Sequence, residues 1–347
     1  MQSISKKIKN TNIIISTKTK VISKNKNKSK TIFSAFLIVL ILLVVAYPNL
    51  CINSIYSGLS VWAKTVLPSL LPFMFFTKLL TNLNVINALT SKFYKFGSKL
   101  FNAPKISSYI FFMSVISGYP VGAKLISEYH KMGFISTKQA NKLCSFCSTS
   151  GPLFIVGSVG VGMLLSAKIG YILLFSHIFS SILNGILFRN MFVDKTEVSF
   201  DLTSKKETQN LLGESMKDSV LSVLVVGGYI AVAFLIVDLF VSLNLFYPLS
   251  WLLEKMGVSG EIGTIFSSGF LEVSKGCLMI SKTSLSNITK ATFASFFIGF
   301  GGVSVFLQAS TFLTEAKANL KFYFFQKITH GVLSAGLTFA ICLLLGV

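Results

Sequence analysis

The chain has 347 residues, of which 52% are hydrophobic and only 13% are charged, and its mean hydropathy is +0.71. Soluble domains average about 45–50% apolar and about 25% charged residues. The composition therefore excludes an ordinary soluble fold and predicts an integral protein of the lipid bilayer. The formal net charge is +20, from 32 basic and 12 acidic residues.

The amino-terminal arm carries much of this charge, since residues 1–30 contain nine lysines and no acidic residue. A basic arm can bind nucleic acid, but here it leads directly into the uncharged stretch 31–63, and no basic stripe on a folded domain accompanies it. The positive-inside rule then predicts a cytoplasmic N-terminus. We interpret residues 1–30 as a disordered cytoplasmic tail that binds no nucleic acid.

Five cysteines are scattered along the chain, and Cys144 and Cys147 form an isolated C-x-x-C pair. Zinc sites normally need four ligands, and neither a second pair nor a nearby histidine is present in the sequence. We expect the cysteines to be small buried hydrophobic residues. No metal and no cofactor are predicted.

Uncharged runs long enough for membrane helices divide the chain, since a helix needs about 20 apolar residues to span the hydrocarbon core. They predict the following organisation: an N-terminal transmembrane helix at 31–57, a first repeat at 58–190, a polar linker at 191–218 and a second repeat at 219–347.

The two repeats are suggested by motifs that recur at a shift of 151 residues. That shift places Ser117, Gly118, Tyr119 and Lys124 on Ser268, Gly269, Phe270 and Lys275, and it also pairs Gly151 with Gly302 and Gly185 with Gly336.

Charge around the segment 106–123 indicates the topology. Lysines flank both of its ends, so both ends are expected to be cytoplasmic, and the S-G-Y-P-V-G motif inside it breaks the helix. The segment is predicted to be a re-entrant hairpin, with a counterpart near Gly269. The fold class is then an all-α polytopic membrane protein with two inverted repeats, seven crossings and two hairpins. The alternative, in which both segments are full crossings, gives nine.

Four glycine-containing breaks interrupt the apolar segments, at 117–124, 149–152, 269–276 and 299–304. In many transporters, broken helices of inverted repeats meet at the membrane midplane and bind the solute. The alternative is that the glycines only allow close helix packing. The breaks predict this set of substrate-binding residues: Ser117, Gly118, Tyr119, Pro120, Lys124, Thr149, Ser150, Gly151, Gly269, Glu272, Lys275, Gly301, Gly302, Ser304 and Gln308.

Charged residues in apolar surroundings are functional candidates because they are costly to insert. Glu272 and Lys275 are three apart and can pair on one helix face. Lys124 can either reach the cytoplasmic interface or present a cation to an anionic solute. His177, His330 and Asn184 are expected to hydrogen-bond neighbouring helices.

Catalytic signatures are absent from the sequence. It contains no G-x-S-x-G, H-E-x-x-H, phosphate-binding glycine loop or paired carboxylates. We therefore do not expect an enzyme.

Several motifs together resemble the sporulation integral membrane protein family YlbJ, also called SpoVV, of the nucleoside recognition or gate superfamily. These motifs are P-S-L-L-P-F at 68–73, S-G-Y-P-V-G-A-K at 117–124, T-S-G-P-L-F-I-V-G at 149–157, L-E-V-S-K-G at 271–276 and F-I-G-F-G-G-V-S at 297–304. The superfamily is similar to concentrative nucleoside transporters and to the gate regions of ferrous iron permeases, so both repeats are expected to be gate-like.

The resemblance implies transport of dipicolinic acid across the outer forespore membrane during sporulation. Lysines and half-helix N-termini would suit the two carboxylates of this anion, and Tyr119 or Phe270 would face its ring. Two alternatives stay open: a transporter of nucleosides or other neutral solutes, and a non-transporting assembly protein of the spore envelope. The sequence leaves oligomer formation open.

Overall fold

A computed structural model describes residues 30–83, 97–194, 210–257 and 259–347. The predicted tail, apart from Lys30, and residues 195–209 of the predicted linker lie outside the described residues. Two compact units divide the chain, Met1–Asn53 and Ser54–Val347. Both predicted repeats fall within the second unit, so they fold together rather than as separate domains.

The described residues form helices and contain no β-strand. In chain order the helices are α1 (Lys30–Ala46), α2 (Pro48–Val61), the π-helix π1 (Trp62–Val66), α3 (Leu67–Asn82), α4 (Ser107–Ser117), α5 (Val121–Lys131), α6 (Thr137–Leu143), the π-helix π2 (Phe154–Met163), α7 (Ala167–Leu187), α8 (Leu211–Ser242), α9 (Tyr247–Lys255), α10 (Gly260–Leu271), α11 (Val273–Ser281), α12 (Asn287–Phe300), α13 (Gly302–Glu315) and α14 (Leu320–Leu345). The final eight residues of the predicted linker, 211–218, are the start of α8.

Four segments are long and apolar enough to cross a membrane, namely α7, α8, α14 and the stretch Asn287–Glu315 that contains α12 and α13; they become five if the bent pair Lys30–Ala46 and Pro48–Val66 forms one span. The prediction of an all-α polytopic membrane protein is confirmed. The uncharged stretch 143–167 is not one continuous helix, because residues 144–151 lie outside any helix. The totals of seven and nine crossings stay predictions.

Two short helix pairs fold back on themselves. A Cβ atom placed on Gly122 of α5 would lie 2.8 Å from the Ser114 Oγ of α4, and one placed on Gly276 of α11 would lie 2.2 Å from the Cα of Gly269 in α10. Residues seven or eight apart would be separated by about 10–12 Å along a straight helix. Both pairs are therefore helical hairpins, in the two places where hairpins are predicted.

The turn of the second hairpin is not where the 151-residue shift places it. Helix α10 continues through Gly269 to Leu271, and the break is Glu272, three residues later than the shift predicts. Gly269 is helical because it serves packing: a Cβ there would lie 2.5 Å from the Phe297 ring. Gly269 therefore serves helix packing beside the turn, and its predicted role in substrate binding stays a prediction.

The order of elements nevertheless repeats. A hairpin (α4 and α5), α6, π2 and α7 are followed later by a hairpin (α10 and α11), α12, α13 and α14. Corresponding helices begin with the same kind of side-chain cap, since Ser136 caps α6 as Ser286 caps α12, and Ser166 caps α7 as Asn319 caps α14. This order supports two internal repeats.

The repeats are joined where α7 packs on α14. The Asn184 amide on α7 donates to the Gln326 carbonyl at 3.0 Å, and its oxygen accepts from the Thr329 hydroxyl at 2.7 Å. The prediction that Asn184 bonds a neighbouring helix is confirmed. The joint fixes the two halves side by side around the site described next.

Candidate functional site

A pocket lies where the helix breaks of the two halves meet, and we call it the central pocket. Its polar lining comes from Tyr119, Ser150, Glu272, Ser274 and Gln308, and apolar residues of α3, π1, π2, α8 and α13 complete the wall. Its volume is about 50 Å³, well below the roughly 300–1,000 Å³ of typical small-molecule sites. In the described arrangement the pocket is therefore too small to enclose a drug-sized solute.

Five sequence-predicted residues line this pocket: Tyr119, Ser150, Gly151, Glu272 and Gln308. They come from three of the predicted breaks and from α13, which begins at the fourth. The Gln308 carboxamide makes no hydrogen bond with the described residues, although the residue is 4% exposed. A polar group so placed is available to a bound solute.

Glycines allow the breaks to approach one another. Gly118 has φ +76°, and a Cβ there would lie 2.5 Å from the Gly151 amide nitrogen. Gly301 and Gly302 have φ +87° and +77° between α12 and α13. Only glycine adopts such backbone without strain, so these three positions shape the pocket through their lack of a side chain.

Tyr119 bridges the two halves of the protein. Its hydroxyl lies 3.3 Å from the Ile298 carbonyl and 3.4 Å from the Gly299 carbonyl, at the end of α12. A Cβ on Gly301 would lie 3.5 Å from the tyrosine Cζ. The side chain of the first-half break therefore packs against the Gly301 break of the second half.

Glu272 caps a half-helix instead of pairing with the Lys275 side chain. Its carboxylate accepts a 2.6 Å hydrogen bond from the Lys275 backbone N–H at the start of α11. The Lys275 ammonium instead forms a 2.7 Å ion pair with Asp238 of α8. The predicted side-chain pair is wrong, because the helix begins at Val273 and turns the glutamate toward free backbone N–H groups. Lys275 is not among the residues that line the central pocket.

Lys124 lies beside the central pocket, in a second cavity that we call the outer pocket. Its lining includes Pro120, Lys124 and Tyr229, and it shares Val226 and Gln308 with the central pocket. The Lys124 ammonium is 3.5 Å from the Ser222 hydroxyl and forms no ion pair within the described part of the chain. A cation therefore lies in the cavity that adjoins the central pocket.

The remaining predicted residues are buried near the breaks without lining either cavity. Thr149 hydrogen-bonds Ser114 through its amide and its hydroxyl, at 3.2 and 2.8 Å. Ser117 is 1% exposed, and the Ser304 hydroxyl is buried with no partner among the described residues. Cys144 and Cys147 are unpaired and buried, as predicted.

One central residue was not predicted from the sequence, and it is Lys327 of α14. It is 2% exposed, and its ammonium donates to the Tyr119 hydroxyl at 2.5 Å, to the Ser148 carbonyl at 2.8 Å and to His330 Nδ1 at 3.3 Å. The ammonium also lies 4.7 Å from the centre of the Tyr119 ring. It is thus directly behind the Tyr119 wall of the central pocket.

Two histidines extend this network, and their proton positions follow from their partners. His330 Nε2 lies 3.1 Å from the His177 carbonyl, which can only accept, so this nitrogen donates and Nδ1 accepts from Lys327. His177 Nε2 accepts the Ser150 N–H at 2.8 Å, and its Nδ1 is buried without a partner among the described residues. The prediction that the histidines bond neighbouring helices is confirmed for His330, whereas the His177 ring bonds the non-helical loop at Ser150. Through the two histidines this loop is tied to Lys327.

A sequence signal for Lys327 does exist. The uncharged run 328–347 begins directly after Lys327, so from the sequence alone this lysine has the position of a helix-terminal residue. Helix α14 begins at Leu320, which places Lys327 two turns inside it and on the same face as Tyr323 and His330. Polar residues at i, i+4 and i+7 within an aromatic, apolar stretch are the pattern that would have found it.

Comparison with known proteins agrees with this architecture of an integral membrane protein. The chain is 28% identical over 338 residues to the sporulation integral membrane protein YlbJ of Bacillus subtilis (strain 168), covering 90% of this chain and 82% of that protein. This similarity supports the predicted resemblance to the YlbJ family of sporulation integral membrane proteins. No family model matches the chain, and no solved structure matches it. The family name and the apolar helices together identify an integral membrane protein.

Proposed function

We propose that this protein transports a small anionic solute and that the solute is dipicolinic acid, moved across the outer forespore membrane during sporulation. The observation that carries the proposal is the central pocket, where breaks from both predicted repeats converge on one small cavity with a few polar groups in a mostly apolar wall. Such breaks leave backbone groups that lipid cannot satisfy, and they occur where protein or an aqueous cavity covers them.

The charges around the pocket favour an anion. Lys327 lies behind the Tyr119 wall, and Lys124 lies in the adjoining outer pocket. Dipicolinate is a flat dianion whose carboxylates suit two separated cations and whose ring suits the Tyr119 ring. The N-terminus on the cytoplasmic side, as the positive-inside rule predicts, completes the proposed orientation.

A second candidate, a neutral solute such as a nucleoside, is favoured by Glu272. Glu272 lines the central pocket, and its negative charge would repel an anion there, whereas the Gln308 carboxamide would both accept hydrogen bonds from a polar ring and donate to it. The two candidates differ in the charge of the solute, which an uptake experiment separates directly.

The test is uptake of labelled dipicolinate by liposomes that contain the purified protein, with uridine and a simple dicarboxylate as competitors. We expect saturable uptake that dipicolinate analogues inhibit and uridine does not. Inhibition by uridine would support the neutral-solute candidate. The absence of any uptake by protein shown to be folded would contradict transport and favour an assembly role.

A further inference from the structure

The ammonium of Lys327 has a complete set of hydrogen bonds but no counter-ion. A lysine ammonium has three N–H donors, and here they meet three neutral acceptors: the Tyr119 hydroxyl, the Ser148 carbonyl and His330 Nδ1. No Asp or Glu forms an ion pair with Lys327 within the described part of the chain. Buried ionisable groups are normally paired or neutral, and within the described residues no carboxylate pairs with the ammonium form of Lys327.

Two other lysines near the site, unlike Lys327, have carboxylate partners. Lys275 is paired with Asp238, and Lys78 lies 3.1 Å from the Asp218 carboxylate. The ionisable side chains in contact with the Lys327 ammonium are Tyr119 and His330, and His177 follows in the same network. The carboxylate that lines the central pocket, Glu272, is held at the N-terminus of α11.

Lys327 lies close to the central pocket, and this position suggests what its ammonium does. Tyr119 lines the central pocket on one side and accepts from Lys327 on the other, and Ser150, which also lines the pocket, is two residues from the carbonyl that Lys327 binds. An anion in the pocket is therefore separated from the ammonium only by the Tyr119 wall. In a water-poor interior, charges so arranged attract strongly.

We infer that Lys327 makes the central pocket selective for an anion, because the solute's carboxylate supplies the counter-ion that the protein itself does not provide. This inference rests on the proposed transport function and deepens it by assigning the residue that selects solute charge. Lys327 acts through the Tyr119 wall, so it is a positioning and selectivity residue rather than a direct ligand.

The experiment compares uptake of labelled dipicolinate with uptake of its uncharged diamide in liposomes, for the wild type and for Lys327→Gln. We expect the wild type to prefer the dianion and the variant to lose about tenfold or more of that preference, chiefly through KM for the dianion. A purely structural role would lower uptake of both solutes together and leave their ratio unchanged, and that result would overturn the inference.

The chain offers a matched control in Lys142, a second buried lysine. It is 1% exposed, and its ammonium donates to the carbonyls of Asn102 and Arg189 at 2.8 and 2.9 Å, away from the pockets. We expect Lys142→Gln to keep the dianion-to-diamide ratio even where the protein is less stable. An equal loss of the ratio in both variants would show that any buried lysine has this effect and would overturn the assignment.

A second variant keeps the inference testable if Lys327→Gln does not fold. Tyr119→Phe removes the hydroxyl but leaves the ring and the lysine, so we expect slower uptake of both solutes with the dianion still preferred. Loss of the preference in Tyr119→Phe would assign selectivity to the hydroxyl and overturn the inference. Wild-type uptake of both solutes at equal rates would overturn it too while leaving transport intact, whereas no wild-type uptake would contradict the proposed function.

Discussion

The two hairpins have the same architecture but use their charged groups in opposite ways. In the second hairpin, Glu272 caps α11 and Lys275 is paired with Asp238. In the first, α5 begins after Pro120 with no side-chain cap, and Lys124 forms no ion pair within the described residues. The second hairpin is thus electrostatically complete, whereas the first leaves a half-helix N-terminus and a cation facing the cavities. We expect an anionic solute to interact with these two positive groups of the first hairpin.

The largest effect should come from filling the glycine contact in the first hairpin. Gly118→Ala would place a Cβ 2.5 Å from the Gly151 nitrogen at a φ of +76°. Overpacking and backbone strain together should lower the free energy of unfolding by about 2–4 kcal/mol. Thermal unfolding in detergent would measure the change.

Gly336→Ala is the matched control, because no atom lies within 4 Å of a Cβ at this helical position. Alanine in a helix interior is more favourable than glycine by about 0.5–1 kcal/mol. A Gly118→Ala protein as stable as Gly336→Ala would show that the first two breaks are not in close contact.

Substitution of the lysine in one hairpin should lower stability, and substitution of the lysine in the other should lower uptake. Lys275→Met leaves the half-buried Asp238 unpaired and should cost about 1–3 kcal/mol of stability. Lys124→Met breaks no ion pair of the described residues and should instead reduce anion uptake. Unfolding and uptake measured on both variants test the contrast, which fails if Lys124→Met is the more destabilising of the two.

The helix cap of the second hairpin should be replaceable by a neutral acceptor. Glu272→Ala removes the acceptor of the Lys275 N–H and should destabilise the protein by about 1–2 kcal/mol. Glu272→Gln keeps an oxygen in that place and should lose less than half as much. Equal unfolding temperatures for the two variants would mean that the cap contributes little.

The smallest effect concerns hydroxyls beside the breaks. Ser304→Ala removes a buried hydroxyl that has no partner among the described residues, and it should be neutral or stabilising by up to about 1 kcal/mol. Thr149→Val breaks the hydrogen bond between the Thr149 and Ser114 hydroxyls in the first half but keeps the one from the backbone amide, and it should cost about 1–2 kcal/mol. Thermal unfolding would show whether each variant is more or less stable than the wild type. A destabilised Ser304→Ala protein would reveal a partner for that hydroxyl.

Sequence reasoning located the breaks well because glycine and proline act locally. The turns at 118–120, 149–151 and 301–302 all lie where the motifs predict them, since only glycine allows their backbone or their close contacts. The second turn lies within the predicted break at 269–276 but not where the 151-residue shift places it, because matching residues in two repeats do not show where a helix ends. Glu272, three residues beyond Gly269, ends it.

Long-range pairing is what the sequence could not provide. Asp238 lies 37 positions before Lys275, and Lys327 lies 208 positions after Tyr119. Helical spacing predicts partners three or four residues apart, so it favoured Glu272 for Lys275 and gave no partner for Lys327. Charges in a membrane protein find partners on other helices, and only the packing of α8 and α14 shows which ones.

The central claim is that the solute occupies the pocket between the breaks, and solute protection tests it most directly. Val226 lines both the central and the outer pocket, and Ser284 is exposed at the far side of the α11–α12 connection. Thiol labelling of Val226→Cys and Ser284→Cys would be followed with and without dipicolinate. We predict that the solute slows labelling at 226 and not at 284. Equal labelling rates at 226 with and without a solute that the protein demonstrably transports would contradict the account.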